Sequence, residues 1–206
     1  IGTTAVELDG EREHVRAAET NLGDLLADAM LDLSQADAAI INGGGIRSSI
    51  GQGEITKGDV ITVLPFGNLI VAKRVKGADI RAALENGVSA FPDPKGAFPQ
   101  VAGMTFKIDP AQPAGSRIHG IVIQGEPMDP EREYVLAMND YLAAGGDEYT
   151  MLKDAPVVKE LTALDEALIR LIQKRGAANP KAEGRIIPEP VAGPAPSGES
   201  AKHYVV

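Results

Sequence analysis

Apolar residues recur at helical spacing in some stretches of the chain and at every second position in others. Leu22, Leu25, Leu26, Ala29, Met30 and Leu33 fall on one face of a 3.6-residue repeat, which predicts an amphipathic helix over 22–33. Thr20 or Asn21 is placed to cap it, and the acidic Asp24 suits the positive end of its dipole. Ile80, Ala83, Leu84, Gly87 and Val88 mark a second helix. Leu161, Leu164, Ala167, Leu168, Leu171 and Ile172 mark a long final one that ends near Gly176. A shorter helical turn opens at Ile55-Thr56-Lys57-Gly58-Asp59, runs through Val60 and Val63, and is stopped by Pro65.

The strand-like stretches are Thr4 to Leu8, Ala38 to Ile41, Leu69 to Val75, Val101 to Ile108, Ile118 to Ile123 and Tyr134 to Met138. In the fourth, Ala102, Met104, Phe106 and Ile108 alternate with polar Thr105 and Lys107, as a half-buried strand requires. Pro and Gly content alone makes Phe91 to Pro99 a loop. The last three of these strands follow one another without intervening helices. The predicted fold is therefore α+β, a mixed sheet with packed helices, rather than a regular doubly wound one. From Pro188 the composition turns to Pro, Gly, Ser and Ala, which predicts a flexible tail over 188–206. The opening residues Ile1 to Leu8 read as a strand inside a fold and not as a signal peptide, so the chain is expected to start partway through a longer protein.

Composition changes this picture mainly by exclusion. A formal net charge of −9 argues against a broad basic face for a nucleic-acid polymer. With no cysteine, disulfides, thiolate nucleophiles and Cys-type zinc sites are ruled out. No apolar run approaches the ~18 residues of a membrane-spanning segment. His14, His119 and His203 are scattered and form no HxxxH, DxH or HxH pattern, so ligands for a hydrolytic two-metal centre are lacking. Neither a GxSxG elbow nor a GxxxxGK[ST] phosphate loop is present. A self-sufficient hydrolase is not expected.

The residues that remain suggest recognition. Directly after Ala38-Ala39-Ile40-Ile41 comes Asn42-Gly43-Gly44-Gly45-Ile46-Arg47. The glycines permit φ > 0 and leave no Cβ between main chain and ligand, and Arg47 offers a planar fork for phosphate or carboxylate. A tight loop with a solvated arginine fits the same residues. Arg12 and Arg16 meet on one side if their segment turns, or are two surface charges. With only four Phe and four Tyr in the chain, Phe66 and Tyr141 in Gly/Pro-rich surroundings are either stacking platforms for a flat ring or plugs under loops. Asp147, after two glycines, either accepts hydrogen bonds from a sugar diol or caps a turn.

The segments Arg12-Glu13-His14-Val15-Arg16, Thr20-Asn21-Leu22-Gly23-Asp24, Asn42–Arg47, Leu64–Asn68, Gln100–Gly103 and Gly145–Tyr149 follow one another in a distinctive order. That order, from about Leu8 to Arg185, resembles the C-terminal domain of the 5′-nucleotidase family, which includes UDP-sugar hydrolases. The resemblance implies a substrate-binding domain over 1–187 that works with an N-terminal metallophosphatase domain carrying two divalent metal ions, in the periplasm or outside the cell. No cofactor is implied for this chain itself. It further implies that Phe66 and Tyr141 sandwich a base, Asp147 accepts from ribose hydroxyls, and Arg12, Arg16 and Arg47 hold phosphate. Asn42 and Asn68 would contact base and sugar, and Gly96 would allow close backbone approach. At Tyr141 the family commonly has Phe, so this chain adds a hydroxyl. Relatives of the same plan act on cyclic nucleotides or on a thiosulfonate-bearing carrier, and a non-catalytic binding module is a third reading.

Overall fold

Alternation along the strand Ala38–Asn42 divides its side chains between two apolar layers, and the whole architecture follows from that division. Ala39 and Ile41 pack into one core with Leu22, Leu25 and Leu168, whereas Ala38 and Ile40 pack into another with Ile80, Leu84 and Phe106. The computed structural model describes residues 1–191. In chain order the elements are β1 (Gly2–Thr4), α1 (Arg12–Val15), α2 (Asn21–Ser34), β2 (Ala38–Asn42), β3 (Gly53–Ile55), α3 (Lys57–Val63), β4 (Leu69–Lys76) and α4 (Gly77–Gly87). They continue with β5 (Pro99–Ala102), β6 (Met104–Ile108), β7 (Ile118–Ile123), β8 (Glu126–Pro127), β9 (Glu133–Asn139), α5 (Asp140–Ala143), α6 (Thr150–Lys153), β10 (Val157–Ala163), α7 (Leu164–Arg175) and β11 (Ile186–Pro188).

Among the described residues the central sheet has strand order β10-β4-β9-β2-β5. It is mixed: β2 runs parallel to β9, while the β10–β4, β4–β9 and β2–β5 pairs are antiparallel. Helices α2, α3 and α7 cover one face through the first core. On the other face lie α4, α5, α6 and a second sheet of order β11-β6-β7-β8. The predicted α+β class with a mixed sheet and packed helices is the class found.

Local chemistry fixes the helix starts. Thr20 caps α2, its Oγ1 accepting from the Gly23 N–H at 3.0 Å. Thr56 and Asp59 form a reciprocal capping box at α3, with bonds of 3.1 and 2.8 Å. Helix α3 stops at Leu64, before Pro65.

The structure departs from the sequence reading in four places. The first strand covers Gly2–Thr4 instead of Thr4–Leu8, and Leu8 makes only an isolated bridge to Ile50. The stretch Val101–Ile108 is not one strand: Gly103, at φ +72°, turns the chain so that β5 joins the central sheet and β6 the second. The final helix begins at Leu164, because Leu161 belongs to β10, an edge strand whose mostly exposed side chains give little periodic signal. The glycines Gly43–Gly45 form a short 3₁₀ turn, and none of them has positive φ. At the C-terminal end, Glu189 N–H bonds to Ile108 O at 2.9 Å and Val191 N–H to Asp109 Oδ2 at 3.0 Å. The remainder of the predicted tail lies outside the described residues.

Candidate functional site

Strand β2 ends in Asn42, and the first of the three glycines that follow is dictated by crowding. A Cβ on Gly43 would stand 2.0 Å from Val15 O, so only glycine lets the turn press against α1. Gly43 N–H bonds to Phe98 O at 2.6 Å and Gly44 N–H to Gly96 O at 2.9 Å, which brings the 91–99 loop alongside. The buried side chain of Gln100 secures the segment after α1: Nε2 donates to Val15 O and Ala18 O, and Oε1 accepts from Thr20 N–H. Arg16 is held between these anchors.

Arg16, Asn42, Phe66, Asn68, Gly96, Tyr141 and Asp147 line one cavity of about 440 Å³, together with Gly44 and Gly45. The other two candidates, Arg12 and Arg47, do not line it. Both nevertheless act on Arg16, whose pKa is held below its ordinary value by burial and by repulsion from Arg12 and then Arg47. Asp147 opposes that shift. Arg47 reaches Gly44 O at 3.1 Å and lies over the Phe66 ring, 5.6 Å from its centroid. None of the three arginines forms an ion pair among the described residues.

Phe66 projects from the turn between α3 and β4 and is 59% exposed; Tyr141, on α5, is 45% exposed. Aromatic rings are normally well buried, so two exposed in one cavity, from distant segments, are unusual. Asp147 closes the site. Its Oδ2 accepts from Asn42 Nδ2 at 2.9 Å and its Oδ1 from the Tyr141 hydroxyl at 2.8 Å. That bond, with burial, raises the Tyr141 pKa and keeps the phenol protonated at neutral pH. The cavity thus combines two exposed π faces, the Asp147 carboxylate and the Arg16 guanidinium, with Arg12 and Arg47 outside its wall.

Known proteins resemble this chain in sequence and in fold. The family model described as "5′-nucleotidase, C-terminal domain" matches residues 1–154. The chain belongs to the 5′-nucleotidase C-terminal domain family. It is 40% identical over 197 residues to the trifunctional nucleotide phosphoesterase protein YfkN of Bacillus subtilis, covering 90% of this chain and 14% of that protein. It is 37% identical over 175 residues to protein UshA of Escherichia coli, covering 84% of this chain and 31% of that one. The crystal structure of a 5′-nucleotidase precursor from Thermus thermophilus superposes with a TM-score of 0.85 at 40% identity, covering 91% of this chain and 39% of the other. The chain therefore spans well under half the length of these relatives.

This 5′-nucleotidase C-terminal domain also relies on residues that the sequence reading passed over. Asn139 Nδ2 donates to Asn42 Oδ1 at 2.9 Å, and Asn86 Nδ2 donates to the Asp147 carbonyl at 3.0 Å. Lys73, only 4% exposed, sends its ammonium to Ala143 O, Leu152 O and Lys153 O at 2.7 to 2.9 Å. It thereby ties down the stretch that carries Tyr141 and Asp147. Burial lowers its pKa, and Asp154 opposes that shift. A lysine among the apolar residues of Leu69–Val75 was the available signal, but its partners are main-chain carbonyls that leave no mark in the sequence.

A second charged cluster lies at the start of α2. Asp24 is 1% exposed, neither of its carboxyl oxygens has a hydrogen-bond partner among the described residues, and burial beside the Glu19 and Asp28 carboxylates pushes its pKa up to about 9. It is therefore neutral at pH 7 and does not act as the helix-dipole anion its position predicts. Burial would also raise Glu19, but the N–H groups of Glu183, Arg185 and Ile186 outweigh it and hold Glu19 low. Arg185 forks onto Asp28 with bonds of 2.9 and 3.1 Å.

Proposed function

We propose that this chain is the substrate-binding domain of a two-domain, metal-dependent 5′-nucleotidase. Phe66 and Tyr141 hold the base by stacking, which contributes roughly 1–3 kcal/mol per base and discriminates little among bases. Asp147 accepts from the ribose hydroxyls. Arg16 faces the phosphate directly, with Arg12 and Arg47 adding longer-range attraction and orienting it for displacement. Asn42 and Asn68 contact base and sugar, and Gly96 admits the ligand close to the main chain. The observation that carries this reading is the placing of two exposed rings, Asp147 and Arg16 around one cavity. A thiosulfonate group has no use for paired rings, so the nucleotide reading is preferred over a sulfur substrate.

Hydrolysis, in this proposal, belongs to an N-terminal metallophosphatase domain that carries two divalent metal ions. Among the described residues of this chain no three His, Cys, Asp or Glu side chains gather where a metal ion could be held. In the carboxylate group at the start of α2, Glu19 is taken up by main-chain N–H groups and Asp28 by Arg185. The donor set does not suit a two-metal centre. The location proposed for the whole enzyme is periplasmic or extracellular. No helix among the described residues is long and apolar enough to cross a membrane.

Calorimetric titration of the chain with adenosine and AMP tests the binding reading. Both ligands should bind, AMP more tightly, and replacing Phe66 and Tyr141 together by Ala should abolish both signals. Unchanged affinity in the double variant would favour a scaffold role with a vestigial pocket. Clear AMP turnover by the pure chain with added divalent metal would refute the assignment of the chemistry to another domain.

A further inference from the structure

Stacking on a base needs only the ring of Tyr141, which leaves its hydroxyl without a role in the site described above. That hydroxyl is engaged. It donates to Asp147 Oδ1 at 2.8 Å, while Asn42 Nδ2 donates to Oδ2 at 2.9 Å. Asn42 is in turn fixed by Asn139, whose Oδ1 accepts from Leu142 N–H at 2.8 Å. The ring cannot drift either. A Cβ on Gly146 would lie 2.5 Å from Tyr141 ring carbons, so the phenol rests directly on that backbone.

Asp147 needs such restraint. Its φ is +53° and that of Glu148 is +65°, left-handed values that non-glycine residues adopt uncommonly and that the surroundings must hold. The backbone there is held by Asn86 at the Asp147 carbonyl, and the carboxylate by Asn42 and Tyr141. An ionised carboxylate has about four acceptor positions. With one on each oxygen taken, one on each remains, which is the pattern a pair of neighbouring hydroxyls can fill.

Resting on the nucleotide-binding reading above, we infer that the Tyr141 hydroxyl is a positioning and specificity-determining group that sets Asp147 as a paired acceptor for the 2′,3′-diol of a ribonucleotide. With the hydroxyl in place, the ordering of the carboxylate is complete before the ligand arrives. A ligand lacking the 2′-hydroxyl then leaves a desolvated acceptor unpaired and binds less well. Without the phenolic hydroxyl, Oδ1 is free to turn toward water. The diol must then order the carboxylate itself, and its advantage shrinks. The same bond ties the plane on which the base stacks to the acceptor that holds the sugar, so one side chain sets both.

The test compares adenosine and 2′-deoxyadenosine by calorimetry on the whole chain and on Tyr141→Phe, which keeps the ring. Adenosine affinity should fall about 5- to 10-fold while 2′-deoxyadenosine affinity stays within about twofold, so that discrimination nearly disappears. A general loosening of the fold would weaken both ligands alike, so the ratio separates positioning from damage, and equal melting temperatures check this independently. An unchanged ratio overturns the inference and leaves the nucleotide reading standing. Tighter adenosine binding in Tyr141→Phe also overturns it, by showing that the hydroxyl competes with the diol. If the unaltered chain binds neither nucleoside, the nucleotide reading falls and this inference falls with it.

Discussion

Two clusters of charge on this molecule are built from similar side chains and behave in opposite ways. Around Arg185, most charge is answered from within the chain: Asp28 pairs with the guanidinium, Glu19 takes three main-chain N–H groups, and burial holds a proton on Asp24. Around Arg16, charge is left over. Arg12 and Arg47 repel Arg16, Asp147 is the chief counterweight, and no ion pair forms among the described residues. The first cluster closes on itself and ties Glu183 to Ile186 to the start of α2. The second, in the proposed function, is completed by the phosphate of a bound nucleotide. Uncompensated like charge beside a cavity is a better sign of function than charge density alone.

The comparison can be broken experimentally. Arg185→Met should be the most damaging change, because it leaves Asp28 with only a 4.0 Å contact to Arg175 and Asp24 without its neighbouring cation. A loss of about 3–5 kcal/mol in urea denaturation is expected, with AMP affinity unaltered wherever the protein remains folded. Arg16→Ala should do the reverse. It removes a cation that its neighbours repel, so the melting temperature should hold or rise slightly. AMP affinity should meanwhile fall by about 1.5–3 kcal/mol and adenosine affinity change little. A drop in stability with equal losses for both ligands would erase the distinction between the clusters.

Asp24→Asn sharpens it through pH. The folded pKa of Asp24, about 9, lies above its ordinary value of 3.8, so between those limits the folded chain binds the extra proton. Its contribution to stability is therefore full below about pH 4 and declines as pH rises toward 9. Glu19, displaced downward, acts with the opposite sign and loses its contribution only as the medium becomes acid. Denaturation at pH 5 and pH 8 should show the unaltered chain losing at least ~1.4 kcal/mol more over that interval than Asp24→Asn, the worth of one pKa unit. Equal slopes would place the proton elsewhere. The smallest effect is expected at Arg12, which is exposed and outside the cavity wall. Arg12→Ala should weaken AMP about threefold at low salt and negligibly at high salt, as a screened long-range attraction does.

Much of the fold was legible because it obeys simple periods. Helix α2, strands β2 and β4 and helix α3 lie within two residues of where spacing and caps place them. Short elements set by contacts were not legible: α1, α5 and α6 have four residues each, too few to show a period. Strand β10 pairs along an edge with its side chains largely exposed, which removes the apolar alternation that reveals a strand. The triple glycine is visible in the sequence, but the contact that requires it is not. Gly43 is needed because Val15 O lies where its Cβ would be, and not for a left-handed backbone.

The sequence by itself determined the class of fold, the apolar faces that build its two cores, and a family pattern that names nine candidate residues. These depend on local spacing or on the order of residues, and both can be read along a line. Tertiary structure alone decided that seven of the nine share one cavity while Arg12 and Arg47 act from outside it. It also decided that Asp24 keeps a proton, that Lys73 feeds three carbonyls, and that the hydroxyl of Tyr141 rests on Asp147. The physical reason is the same in each case. Charge state and hydrogen-bond partnership depend on burial and on neighbours distant in sequence, and neither exists until the chain has closed on itself.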